Sequence, residues 1–175
     1  MTHRIYESPV GTYAIVVDDH GAVTGIYQAD QRHHPGPELL GEPDDSAAPE
    51  AARQLDEYFA GTRTTFDLPM NPAGSEFQRA VWQKIAAIPF GGLTTYGQIA
   101  AELGSSARAV GSATGRNPIS IVVPCHRVVS SSSAITGYAG GLETKEWLLR
   151  HEGYTITPAR GENPKATAAL VSPPK

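Results

Sequence analysis

The chain has 175 residues, 40% hydrophobic and 18% charged, with a formal net charge of -4 and a single cysteine. One thiol excludes an internal disulfide framework, no apolar run reaches the roughly 20 residues of a membrane span, and the start MTHRIYESPV lacks a secretory apolar core. A cytoplasmic protein of one or two small domains is expected.

The charge is unevenly spread: residues 1–77 balance at -9, residues 78–130 at +4 and residues 131–175 at +1. A basic middle beside an acidic front half marks a candidate nucleic-acid face, with chance clustering on solvated faces as the alternative.

In chain order, residues 12–17 and 22–27 have strand composition around the turn Asp18-Asp19-His20-Gly21, predicting a hairpin in a β-rich start. Residues 28–50 hold four prolines and several acids and read as a long surface loop. Pro49 opens a helix with Ala51, Leu55, Tyr58 and Phe59 on one face, and Gly61 ends it. Residues 64–68 return as a further strand. The linker composition of residues 69–74 divides an N-terminal domain over 1–70 from a second over 75–155.

Ser75-Glu76-Phe77-Gln78 has the form of a capping box ahead of a helix with Phe77, Val81, Trp82, Ile85 and Ile88, stopped by Pro89. Residues 95–103 and 106–115 predict two short helices about Gly104, a helix-turn-helix pattern shared with many plain helical hairpins. Residues 119–123 read as a buried strand or extended segment, 142–152 as a last helix stopped by Gly153, and 156–175 as a mobile tail.

The second helix of that pair carries Ala107, Ala109, Gly111, Ser112, Ala113 and Thr114, with Arg108 as its one long side chain. Small residues allow close backbone approach but encode few base contacts, which favours a sequence-tolerant contact in the minor groove. The competing reading packs those alanines into the core.

Cys125 lies in IVVPCHRVVS between Pro124 and His126. A lone cysteine is commonly an inert small hydrophobe. Against that stand the adjacent His126, the polar Asn117 in GRNPIS, the stiffening Pro118 and Pro124, and Glu152 in RHEG. Cysteine, histidine and glutamate supply a nucleophile, a base and a carboxylate that orients the base. The set suits acyl transfer or alkyl transfer to sulfur, and spacing does not separate the two.

IVVPCHRVV, preceded by GRNP and followed by GYAGGLETKEWLLRHEG, closely resembles the O6-alkylguanine-DNA alkyltransferases, the methylated-DNA–protein-cysteine methyltransferases. The match runs from about residue 77 to 153 and takes in PFGGLTTYGQIA and ARAVGSATGRNP; the first 70 residues resemble the family's first domain loosely. The resemblance implies an α+β fold, an N-terminal α/β (ribonuclease-H-like) domain followed by a mostly helical domain with a helix-turn-helix. It implies a single-turnover repair protein that flips O6-alkylguanine, and O4-alkylthymine, from duplex DNA and moves the alkyl group irreversibly to Cys125.

The roles it implies are Cys125 as acceptor, His126 as base, Glu152 as its partner, Asn117 as hinge and Tyr96 as donor to the guanine. Arg108 is the finger filling the gap left by the flipped nucleotide. Ala109, Gly111 and Ser131 join Tyr96 and Arg108 in contacting DNA, while Pro124, Val128, Tyr138, Ala139 and Gly140 shape the base pocket. No cofactor or metal is expected, since no cysteine accompanies His3, His20, His33 and His34 and all four lie among loop signals. The expected partner is double-stranded DNA carrying alkylated bases, met through its minor groove by a monomer, with no membrane. A non-catalytic damage sensor of the same family would replace the nucleophile. An unrelated Cys-His hydrolase would leave Tyr96, Arg108 and the helix pair without a purpose.

Overall fold

The structure, a computed structural model, describes residues 1–157 and 170–173. It is α+β. Strands β1 (Thr2–Ser8), β2 (Gly11–Val17) and β3 (Val23–Gln28) form an antiparallel meander, and β4 (Glu42–Pro43) adds in parallel to the free edge of β1. The order is β3-β2-β1-β4. The turn after β2 is held by Asp18, whose Oδ1 accepts from the backbone of His20 and Ala22. Residues 28–50 are more ordered than their composition predicts, because they contain α1 (Pro37–Leu40) as well as β4.

Helix α2 (Pro49–Phe59) lays Ala51, Leu55 and Tyr58 into one apolar cluster with Tyr13 and Ile15 of the sheet. Residues 64–68 are not a strand. Gln54, buried on α2, takes the part of a neighbouring strand: its amide donates to Asp67 O at 3.0 Å and accepts from Asp67 N at 2.9 Å. Backbone groups satisfied by a side chain need no sheet.

The linker at 69–74 runs beside β3, with Val23 N donating to Pro69 O and Asn71 N to Val23 O, both at 2.8 Å. The core does not break there. The same cluster continues through Val81, Ile85, Ile99, Ile119 and Leu148. Helix α3 (Glu76–Ala86) begins in the expected capping box, with Ser75 and Gln78 bonding each other's backbone. Its Trp82 Nε1 donates to Ala113 O at 2.8 Å, tying it to the helix-turn-helix.

That motif is α4 (Tyr96–Leu103) and α5 (Ala107–Gly115). Gly104 turns the chain at φ 64, Thr95 caps α4, and Ser106 caps α5 by accepting from Ala109 N. Ile99 and Val110 are buried between them, with Leu103 partly so. Val110, Ala113 and Thr114 face inward, whereas Ala107, Arg108 and Ser112 are exposed. Of the six small residues, Ala113 and Thr114 therefore pack, Ala107 and Ser112 present a surface, and Ala109 and Gly111 lie half-buried between.

Helix α6 (Leu142–His151) closes the second domain. Residues 156–157 and 170–172, expected in a mobile tail, instead take part in antiparallel β7 (Thr155–Thr157) and β8 (Leu170–Ser172). Val171 is buried with Val129, Ile135, Leu149, Tyr154 and Ile156, so burial of apolar side chains overrides the poor local pattern. The rest of the predicted tail, 158–169 and 174–175, lies outside the described residues. No helix of the described residues is long and apolar enough to cross a membrane.

Candidate active site

The apolar run ahead of Cys125 is not a strand. After Ile119 bridges to Ile26, the chain folds into consecutive tight turns. Val122 N donates to Ser120 O at 2.8 Å around Ile121 at φ 73, and Cys125 N donates to Val123 O at 2.8 Å around Pro124 at φ -82, ψ 67. Both are i→i+2 bonds, the γ-turn pattern, and a left-handed φ at a β-branched residue carries strain of about 1–3 kcal/mol. A periodicity reading cannot see this, because both alternatives bury the same apolar side chains.

Asn117 holds the turns from behind. Its Nδ2 donates to Val123 O at 2.9 Å and its Oδ1 accepts from Ile119 N at 3.0 Å, linking the end of α5 to the segment carrying the thiol. Cys125 opens a 3₁₀ turn (Cys125–Arg127) that runs into β6 (Val128–Val129). Strand β6 pairs in parallel with β5 (Thr94–Thr95), and Tyr96 follows directly, which is why the first helix of the motif starts beside the thiol.

Behind Cys125 lies a buried polar chain. His126, with no exposure, places Nε2 2.6 Å from Glu152 Oε2. An ionised carboxylate only accepts, so Nε2 carries the proton and Nδ1 is the basic nitrogen. Nδ1 is buried with no hydrogen-bond partner among the described residues. Glu152 also accepts from Tyr58 OH at 2.7 Å and from Arg127 Nε at 2.7 Å. Arg127 in turn donates to Ile88 O at 2.7 Å and stands over the Phe90 ring.

Burial alone would raise the Glu152 carboxyl, but the imidazole N–H and the guanidinium beside it hold it down at about 2. Burial lowers His126 and keeps it neutral, against the pull of Glu152. Burial also pushes the Cys125 thiol up, opposed in part by Asn117 and Lys145. The resting group is therefore a thiol, and it needs a base to become a nucleophile.

In front of Cys125 opens a cavity of about 640 Å³. Tyr138 and Ala139, expected in the pocket, line it with the thiol, and so do Tyr96 and Gly111, which the sequence reading assigned to DNA contact. Tyr96 OH donates to Thr136 O at 3.0 Å, and burial raises the phenol, which stays protonated. Gly140, expected in the pocket wall, is not among the residues lining the cavity; a Cβ there would push Gln28 Oε1 aside and crowd the Tyr138 ring. Five further positions stand elsewhere. Pro124 faces a separate groove with Phe66, Ile88 and Phe90. Val128 is buried, its carbonyl occupied by Lys145. Ser131 lies on an exposed turn outside the cavity, and Arg108 and the half-buried Ala109 lie on the outer part of α5.

Several residues escaped the sequence reading. Lys145, fully buried on α6, donates Nζ to the carbonyls of Val128, Thr136 and Gly137 at 2.8, 3.1 and 3.3 Å, and burial lowers it to about 8. Arg32 and His33, from the loop after β3, line the mouth of the cavity, and Arg32 N donates to Ala139 O at 2.8 Å. Tyr58 and Arg127 complete the shell of Glu152. Lysine on an amphipathic helix normally reads as surface, and nothing local marks this one as interior.

A buried thiol backed by imidazole and carboxylate, under a helix-turn-helix and facing an open cavity, defines a nucleophile-bearing protein of the nucleic-acid-binding class. The comparisons with known proteins give its family. The family model described as 6-O-methylguanine DNA methyltransferase, ribonuclease-like domain, matches residues 1–72, and that described as its DNA binding domain matches residues 76–154. The chain belongs to the 6-O-methylguanine DNA methyltransferase family.

A methylated-DNA–protein-cysteine methyltransferase of Methanosarcina acetivorans is 42% identical over 155 residues, covering 87% of this chain and 99% of that one. The Mycobacterium leprae protein of the same name is 42% identical over 156 residues, covering 87% and 93%. Among solved structures, Mycobacterium tuberculosis OGT in complex with DNA superposes with a TM-score of 0.78 at 39% identity, covering 87% of this chain and 92% of that chain.

Proposed function

We propose that this chain repairs alkylated DNA by direct reversal, moving the alkyl group from O6 of guanine to Cys125. The observation that carries the reading is the thiol at the floor of the cavity, backed by His126 and Glu152 in the tautomer that leaves Nδ1 basic. The target carbon cannot be reached inside a base stack, so the nucleotide must be extruded into the cavity. The exposed small face of α5 suits a minor-groove approach, with Arg108 entering the stack as the base leaves. Ala109, Gly111 and Ser131 are assigned to the surrounding DNA contact, Tyr138 and Ala139 to the pocket wall, and Pro124, Val128 and Gly140 to its frame.

The chemistry follows from the groups present. His126 Nδ1 takes the thiol proton, through a water, and Glu152 stabilises the imidazolium that forms. The thiolate attacks the alkyl carbon in line; the S–C bond forms as the C–O6 bond breaks, and the electron pair leaves on the guanine. A proton or hydrogen bond at the ring nitrogen eases departure, and we assign that donation to Tyr96 OH, which stays protonated and must turn from Thr136 O to make it. The product is a thioether with no carbonyl for water to attack, and Cys125 is the only cysteine of the chain. Each molecule acts once. O4-alkylthymine, a smaller base with the same leaving oxygen, fits the same scheme. A monomer acting in the cytoplasm completes the proposal.

The test is incubation with an oligonucleotide holding O6-methylguanine, followed by weighing the peptides. The Cys125 peptide is expected to gain one methylene, with one equivalent of DNA repaired per protein. Repeated turnover, or full repair by Cys125→Ala, would falsify the reading. For Arg108→Ala we expect repair of duplex DNA to fall by about tenfold or more, the scale of one lost contact of 1–3 kcal/mol, while reaction with free O6-benzylguanine changes little. Equal loss on both substrates would remove Arg108 from the flipping step.

A further inference from the structure

The Glu152 carboxylate is shared in a way the Cys-His-Glu scheme does not account for. Oε2 accepts two hydrogen bonds, from His126 Nε2 at 2.6 Å and from Tyr58 OH at 2.7 Å. Tyr58 comes from α2, in the first domain, 94 residues away in sequence. It is 1% exposed, and its ring is packed edge-on by Phe59 and His151 and tilted against Phe66. His151 Nε2 also bonds Tyr58 O at 2.7 Å, so both backbone and ring are fixed relative to α6. Two donors on one oxygen divide its capacity to accept.

We propose that Tyr58 is a positioning residue: its hydroxyl fixes the Glu152 carboxylate and limits how strongly that carboxylate draws on the His126 N–H. The first domain thereby sets the strength of a base carried by the second. This rests on the proposed alkyl transfer for its catalytic meaning, although the hydrogen-bond competition stands on geometry alone. The other titratable and charged groups around the pair are Arg127 and Cys125 on the 3₁₀ turn, Lys145 on α6, Tyr138 on the pocket loop, Tyr154 beyond α6 and Tyr13 on β2. None of these donates a hydrogen bond to the Oε2 that His126 uses.

Tyr58→Phe removes the hydroxyl and keeps the ring. With one donor gone, Oε2 accepts more fully from His126, and the imidazolium is better stabilised. The His126 titration is expected to move up by about one pH unit, the scale of a single hydrogen bond to a charged group. The acidic limb of the alkyl-transfer rate should move up with it, because the protonated imidazole cannot take the thiol proton.

The experiment is a ¹⁵N NMR titration of the His126 ring in the full chain, alongside the rate of Cys125 alkylation by O6-benzylguanine across the same pH range. Phe59→Leu, which keeps the Tyr58 hydroxyl and removes a ring packed beside it, controls for lost packing. An upward shift in Tyr58→Phe and none in Phe59→Leu supports the proposal. Superimposable titrations of wild type and Tyr58→Phe, or equal shifts in both variants, overturn it. If the wild type is not alkylated at all, the function reading fails, and the NMR titration still decides the role of Tyr58.

Discussion

Glu152→Gln is expected to slow alkylation of Cys125 by about 100-fold or more and to destabilise the fold by about 3–5 kcal/mol. The kinetic part follows from losing the group that stabilises the imidazolium, and positioned acid–base groups contribute on the order of 10²–10⁴-fold. The stability part follows from Arg127, buried at 5% exposure, which would keep its charge and lose its only ion-pair partner among the described residues. Stopped-flow alkylation and urea denaturation measure the two effects. A variant that reacts within threefold of wild type would remove Glu152 from the relay.

The same pair fixes how acid acts on the wild type. His126 is lowered in the fold, so below its ordinary value of 6.5 the unfolded chain binds a proton that the native state refuses, and stability begins to fall. Glu152 is held down at about 2 against an ordinary 4.5, so its contribution is complete above 4.5 and is lost as pH falls from there toward 2. Glu152→Gln should keep the first decline and lack the second.

Lys145→Met is the other large expected effect, a loss of about 2–4 kcal/mol with repair of methylated DNA reduced at least about tenfold. Methionine fills similar space but leaves the carbonyls of Val128, Thr136 and Gly137 without the donor they share. Those carbonyls join β6 to the loop that carries Tyr138, and Thr136 O also receives Tyr96 OH. Loosening that junction widens the pocket on the side where the base must be held. Amide hydrogen exchange should rise across residues 135–141 in the variant. Unchanged protection there, with wild-type repair, would count against the role.

Elements whose signals are local were legible in the sequence. Ser75 and Gln78, Thr95 and Ser106 announce helix starts by their own side chains, and Gly104 announces the turn. Cys125, His126, Asn117 and Glu152 were legible through the motifs around them. Residues whose meaning depends on distant chain were not. Gln54 satisfies Asp67 thirteen residues on, Tyr58 reaches Glu152 across the domain boundary, and Lys145 finds three carbonyls no pattern foretells. The segment before Cys125 misled for a different reason: alternation and burial are blind to a chain that doubles back twice within six residues.

Those two tight turns bear on how the molecule keeps until it is needed. A protein that reacts once is a stock of thiol equivalents, and every stray alkylating electrophile that finds Sγ subtracts one. Ile121 in its left-handed turn and Pro124 in the next leave Cys125 5% exposed on a backbone held by Asn117. The same burial keeps the sulfur protonated at rest. Strain in the main chain is thus exchanged for shelf life, and the reagent is spent only on what the cavity admits.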